Sequence, residues 1–593
     1  MKLLEELKRR NVFQMAVFYA VAAWLVLQVV DVLTSLIGLP SWVGPAVLAL
    51  LAVGFPIAMI FSWFYELTPD GISLEKDVER GETSTRFMGG RLNFIFISLL
   101  CAAVILFAYD KWWSRGPLEK SVAVLPFENM SGDVEQEYFS DGISEELLNL
   151  LGQIPDLRVI SRTSSFSFRE QNLGIPEIAR RLNVSYVLEG SVRKAGNRLR
   201  ITSQLIQAND GFRLWSNSYD RDLDDIFAVQ GEIAKAISEA LTLQLALNNA
   251  TGDSSLPRSS RLNEGGIDHQ EDDFLAKAPT ESAEAHIAYL KGRYYLNKRS
   301  IDGFRKAKEQ FEYAIARDPE YALAYSGLAD CYMLLAGYGH MPLSEALSKQ
   351  RIAAYKALEL DENSAEVHAS VGALHVTDGW DWHGALRELR RAIEINPNYG
   401  QALQWYGSTL AMVGDSEHLA AIERAHAVDP VSLRVNVDYG LAYYYNKDYD
   451  SAIRQLRSTL ELDPNFLATY GALGLVLVEI GEYEEGIAAI EKGAAGRLSV
   501  WLGYAHARAG NIDRAQKILG QWQERWEDTQ SGAIAIALIN VGLGQNDVAF
   551  DWLDKAVDNK VQGVVTLQTF AYWSPLRGDP RYEALLRRLN FLG

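Results

Sequence analysis

Apolar residues follow three different rhythms along this chain. Residues 12–30, VFQMAVFYAVAAWLVLQVV, run for 19 positions without a charge, and 43–65 and 92–109 form two further apolar runs. At 1.5 Å per residue such runs match a hydrocarbon core about 30 Å thick. The pattern predicts a membrane domain over residues 1–116 with three transmembrane helices, anchored at its interfaces by Trp42, Trp63, Trp112 and Trp113. A cleaved signal peptide fits poorly, because the first run is too long and no A-x-A-like site follows it. Lys2, Lys8, Arg9 and Arg10 precede the first run, whereas the connection to the second has no Lys or Arg. That bias predicts a cytoplasmic amino terminus and, after three crossings, residues 111–593 outside the cytoplasm. The loop from Glu66 to Arg91 carries further basic residues, and Asp31 reads as an interfacial side chain.

From Ser121 the rhythm shortens. SVAVLPF (121–127), LRVISR (157–162), VSYVLEGSVRK (184–194) and RLRITSQLIQ (198–207) read as strands, with Gly196 and Asn197 as a hairpin turn and FRLWSNSYD as a further strand. EYFSDGISEELLNLLGQI and IPEIARRL have helical spacing, Ser140 or Asp141 standing as candidate caps for the first. A helix, DIFAVQGEIAKAISEALTLQL, closes this small α/β domain. Residues 246–279 then lose periodicity and read as a flexible linker.

Beyond the linker the chain repeats. Pro397, Pro430 and Pro464 lie 33 and 34 apart, and Gly407, Gly440 and Gly474 each follow ten residues later. Small or apolar residues recur 5, 8 and 12 positions before the prolines, as Ala392, Leu389 and Ala385. These are tetratricopeptide positions, where small residues let two antiparallel helices cross closely. The register predicts an α-solenoid over residues 280–593, with roughly eight repeats to about residue 563 and DPRYEALLRRLNFL as a capping helix.

Residues 119–245, in particular VAVLPFENMSGD, EYFSDGISEELLNLL and the stretch ending in WSNSYDRDL, resemble the TolB amino-terminal-like (FlgO-like) domain of Gram-negative bacteria. RRNVFQMAVFYAVAAWLVLQVVDVL and GFPIAMIFSWFYELTPDGI are similar to the membrane portion of repeat-bearing integral membrane proteins with that domain. The resemblance implies a non-enzymatic envelope module in the bacterial inner membrane, with the repeats in the periplasm.

Charge and chemistry narrow the function. Residues 1–116 hold as many acidic as basic side chains, so the formal net charge of −19 belongs to residues 117–593. Such a surface repels phosphate backbones, which argues against a nucleic-acid partner. Two cysteines, Cys101 and Cys331, exclude a disulfide scaffold. No P-loop, H-E-x-x-H or G-x-S-x-G motif occurs, and Glu145/Glu146 and Asp224/Asp225 are adjacent pairs that diverge on a helix. No catalytic residue, cofactor or metal is expected. What remains is a groove: the inward positions of two repeats are Gln401, Gln404 and Ser408, then Arg434, Val437, Leu441 and Tyr444. Their mixed polar and aromatic character suits a protein or peptide partner. The reading is a membrane scaffold, with a signalling receptor or regulatory subunit acting on a cytoplasmic enzyme as the alternative.

Overall fold

The computed structural model describes residues 120–252 and 278–591 apart from isolated positions, and only scattered positions of the first 116. It divides into two compact units, Met1–Gly116 and Pro117–Gly593. Most of the predicted spans 12–30, 43–65 and 92–109 fall outside the described residues, as does the linker from 253 to 277. Among the described residues no helix is long and apolar enough to cross a membrane. In the first unit the Tyr19 hydroxyl donates to the Leu51 carbonyl at 2.8 Å, and its ring lies edge-on to Phe55. Strands Tyr65–Thr68 and Gly71–Leu74 pair antiparallel, so Tyr65, placed at the end of the second run, belongs to a hairpin instead. The P-D-G turn signal at Pro69 to Gly71 accounts for it.

The second unit opens with the α/β domain. β1 (Ser121–Val124) is wholly buried, because its four residues lie under helices on both faces. It pairs in parallel with β3 (Arg158–Val159) and β4 (Tyr186–Ala195). β4, β5 (Arg198–Gln207) and β6 (Arg213–Asp222) form an antiparallel meander, Gly196 supplying the left-handed φ of +62° that the tight turn needs. A two-residue strand, β2 (Glu128–Asn129), also pairs with β4. The helices are α1 (Glu137–Gly152), α2 (Arg162–Phe166), α3 (Ile175–Leu182) and α4 (Ile226–Gly252). Two expectations are corrected here. Ser140 and Asp141 lie inside α1 and do not cap it; Ser140 bonds back to the Glu137 carbonyl and Asp141 pairs with Arg169. Residues 246–252, assigned to the linker, continue α4, since LALNNATG lacks a helix-breaking proline.

Eight antiparallel helix pairs follow: α5 (Ala283–Asn297) with α6 (Ile301–Arg317), α7 (Ala322–Gly337) with α8 (Leu343–Leu360), α9 (Ala365–Thr377) with α10 (Trp382–Ile395), α11 (Gly400–Val413) with α12 (His418–Val428), α13 (Leu433–Tyr445) with α14 (Tyr449–Leu462), α15 (Leu467–Glu479) with α16 (Tyr483–Ala494), α17 (Val500–Arg508) with α18 (Ile512–Thr529), and α19 (Ala533–Gly542) with α20 (Asn546–Asp558). The repeat glycines stand where the crossing is tightest. A Cβ on Gly440 would lie 2.6 Å from the Leu456 side chain, and one on Gly407 2.6 Å from Ile422. Two 3₁₀ turns, Gln562–Leu567 and Ala571–Leu576, and the last helix α21 (Pro580–Arg588) complete the chain.

One continuous apolar core joins Val122, Leu147 and Ile233 of the α/β domain to Leu290, Phe311 and Leu328 of the first helix pairs. The α/β domain and the solenoid therefore do not behave as beads on a string.

Candidate functional site

The first helices of successive pairs line one face of the solenoid, and that face is covered in two ways. Over its amino-terminal half sits the α/β domain. Glu145 of α1 is buried and accepts from Arg293 of α5 at 3.0 Å while pairing with Arg162 of α2 at 2.8 Å. Burial works to raise its carboxyl, but the Arg293 and Arg162 guanidiniums outweigh that and hold it below the ordinary carboxylate range. Arg169 binds both Asp141 and Glu137, and the Tyr294 hydroxyl donates to Glu137 at 3.1 Å. Farther along, the turns between helix pairs dock the domain. Asn398 donates to the carbonyls of Gly152 and Leu157 and accepts from the Val159 N–H. Asp429 accepts from the Ser164 N–H at 3.0 Å and its hydroxyl at 2.6 Å, while the Ser161 N–H donates to the Val428 carbonyl at 2.7 Å.

The carboxyl-terminal half is covered by the chain's own end. Phe570 packs against Tyr444 and Tyr445, with ring centroids 5.8 and 5.1 Å apart, and the Ala571 N–H donates to the Tyr444 hydroxyl at 3.1 Å. From there the strap reaches back to α10. The Trp382 indole donates to the Leu589 carbonyl at 2.7 Å and stacks on Phe591 at 5.0 Å. Arg588 and Arg581 of α21 pair with Asp554, Asp558 and Asp547 of α20, so the expected capping helix lies on the last pair and also carries the strap home.

Between the strap and helices α11, α13, α15 and α17 a cavity of about 620 Å³ stays open. Ser408, Arg434, Val437 and Leu441 line it; Gln401 and Gln404 stand outside its lining, and so does Tyr444, which is buried under the strap. Gln401 donates to Gln404 at 3.3 Å and Gln404 to Asp438 at 2.9 Å. Arg434 meets the same carboxylate at 2.9 Å, and the Ser408 hydroxyl lies 3.5 Å from it. Asp438 thus gathers three of the seven groove residues, Gln404, Ser408 and Arg434, although the groove register passes over it because it falls one position after Val437. Arg497 and Tyr445 also line the cavity outside the inward positions read from the repeat. Among the described residues no group of three His, Cys, Asp or Glu side chains is arranged to hold a metal. Cys331 is buried between helices and burial pushes its thiol far up, which makes it inert as a nucleophile.

Comparison with known proteins agrees with one part of this picture and redirects another. A tetratricopeptide repeat model matches residues 289–364 and 437–499. The solenoid is a tetratricopeptide-repeat array. The α/β domain matches a different model from the TolB-like one expected: that of the HilA/YgeH-like transcriptional regulator, second domain, over residues 118–236. The chain is 45% identical over 162 residues to a protein named putative adenylate cyclase 3 of Rhizobium meliloti, covering 27% of this chain and 26% of that one. It is 26% identical over 181 residues to transcriptional regulator HilA of Salmonella typhimurium, covering 30% and 32%. The matched segments span about a quarter to a third of these relatives' length. Among solved structures, Pseudomonas aeruginosa PilF shares 19% identity at a TM-score of 0.29, over 37% of this chain and 96% of that one. YrrB, described as a tetratricopeptide protein with an unusual peptide-binding site, shares 21% at 0.22, over 31% and 89%.

Proposed function

We propose that this chain is a non-enzymatic adaptor of the bacterial inner membrane, whose repeat array recruits a protein or peptide partner through the cavity on α11 to α17. Tetratricopeptide arrays mediate protein–protein interaction, and the observation that carries the reading is the open, mixed-character cavity beside an otherwise covered repeat face. The three apolar runs before residue 116 support anchoring in the lipid bilayer, and the Lys/Arg bias supports a periplasmic position for residues 111–593. A photo-reactive side chain at position 408 of the full chain, in membranes, should give a discrete adduct that disappears on Leu441→Arg. Labelling indifferent to Leu441→Arg would remove the groove from the function.

A second reading is a signalling receptor or regulatory subunit. It is favoured by the match of the α/β region to the second domain of a transcriptional regulator, together with the likeness of part of this chain to a protein named for a cyclase. Such sharing suits a sensory part joined to different outputs. Reporters fused after residue 116 and at the carboxyl terminus test the topology: activity outside the cytoplasm fits an adaptor or a receptor with a periplasmic groove, activity inside fits a cytoplasmic regulator. In the receptor form, peptide binding should also change protease access to the loop from Glu66 to Arg91.

A further inference from the structure

The cavity under the strap has a chemistry more specific than a general protein-binding groove. We propose that it is a pocket for a peptide segment that presents a single carboxylate among apolar side chains. This rests on the reading of the array as a partner-binding surface and names the class of partner.

Three observations on the lining lead there. Its volume of about 620 Å³ is that of a ligand site, and its walls are chiefly apolar: Met412, Leu441, Leu467, Trp501, Val565 and Phe570. Its charges do not cancel. Arg434 is bound by Asp438, whereas the exposed Arg497, whose Nε donates to the Ala494 carbonyl at 3.2 Å, pairs with no carboxylate among the described residues. The lining therefore carries one uncompensated positive charge in a protein whose net charge is −19. Finally, Tyr445 presents a hydroxyl with no hydrogen-bond partner among the described residues, while its ring is fixed by His418, Tyr444 and Phe570. Arg434 and Asp438 are its charged neighbours.

The Tyr445 hydroxyl is free to donate to an acceptor that a ligand brings to the apolar wall. A carboxylate fits on both counts. It accepts from the Tyr445 hydroxyl and from an arginine, and its single charge neutralises the excess left after the Arg434–Asp438 pair. A polyanion such as a nucleic acid would exceed that charge and meet a chain whose net charge is −19. The strap narrows the repeat face to a pocket, so an extended segment of a few residues fits better than a long amphipathic helix.

The test uses the immobilised full chain and three pools of acetylated, carboxyl-terminally amidated octapeptides. In each pool one central position is fixed as Glu, Gln or Lys, and the others are randomised over Ala, Val, Leu, Ile, Phe and Ser. The Glu pool should be retained about tenfold more than the Gln pool, and the Lys pool least. Arg497→Gln should bring the Glu-to-Gln ratio close to one, as should Tyr445→Phe, which keeps the ring and its packing. Both variants should unfold at the temperature of the unaltered protein. Equal retention of the Glu and Gln pools, or a preference unaffected by both variants, overturns the acidic pocket. If both pools are then lost on Leu441→Arg, the groove itself survives as a binding surface. Retention of no pool also overturns the pocket, and the groove falls with it when the photo-reactive side chain at position 408 gives no Leu441-dependent adduct.

Discussion

The two halves of the repeat face are both covered by the same chain, but by different physics. The amino-terminal half is sealed by directional polar contacts on an apolar core: Glu145 between Arg293 and Arg162, Asn398 with three backbone partners, Asp429 with Ser164. Such contacts fix an orientation, and breaking any one strands a buried polar group. The carboxyl-terminal half is crossed by an aromatic strap, Phe570 on Tyr444 and Tyr445 and Phe591 on Trp382, which leaves a cavity open beside it. The first arrangement has the character of a finished interface, the second of a site kept for something else.

The sharpest way to break the contrast is at Glu145. Glu145→Ala leaves the half-buried Arg293 and Arg162 without the carboxylate they share, Asp141 staying 3.9 Å from Arg162, and should cost about 3 kcal/mol in urea unfolding of the full chain. A cost below about 1 kcal/mol would mean that the sealed half is held no more firmly than a surface ion pair. Next in size is Gly440→Leu, which drives a side chain into Leu456 where even a Cβ would sit at 2.6 Å. Overpacking there should cost about 3 kcal/mol and loosen the wall of the cavity, whereas unchanged thermal unfolding would refute the helix register. The strap offers a smaller effect. Trp382→Phe keeps a ring against Phe591 but loses the bond to the Leu589 carbonyl, so it should cost about 1 kcal/mol and speed proteolysis of the last residues without releasing the α/β domain.

The smallest effect is a pH dependence within the solenoid. Burial alone would lower His368, but hydrogen bonds to the Glu388 carboxylate at 2.7 Å and the Glu362 carbonyl at 2.9 Å raise it above its ordinary value. A raised folded value means that the stabilisation is complete below the ordinary histidine pKa and is lost as pH rises through the folded one. The melting temperature should therefore decline slightly between pH 6 and 8, and His368→Gln should flatten that decline.

Much of the solenoid is legible because its signal is steric and periodic. Small residues must stand at each crossing, so Gly407, Gly440 and Gly474 announce the pairs at a fixed distance from Pro397, Pro430 and Pro464. The strands of the α/β domain are legible for the same reason, through alternation and the Gly196 turn. The covering of the repeat face is not periodic and leaves no such trace. Asn398 and Asp429 look like ordinary polar residues beside turn prolines, and only the docked domain turns them into anchors. Arg293 reads as a solvated residue on a helix until Glu145 arrives from far away in the chain. The strap forms where the repeat decays, and the cluster Phe570, Tyr572 and Trp573 after residue 563 was its available sign. Tyr444, read as a groove residue, is covered by that strap, while Asp438 organises Gln404, Ser408 and Arg434 from a position outside the register.

The claim that one half of the face is closed and the other open is tested most directly by thiol accessibility. In a Cys101→Ser background, Leu290→Cys places a thiol against Gly142 of the α/β domain and Leu441→Cys places one in the cavity. Maleimide labelling of the full chain should be faster at 441 than at 290 by on the order of a hundredfold, position 290 reacting only through local opening. Equal rates at the two positions would contradict the account.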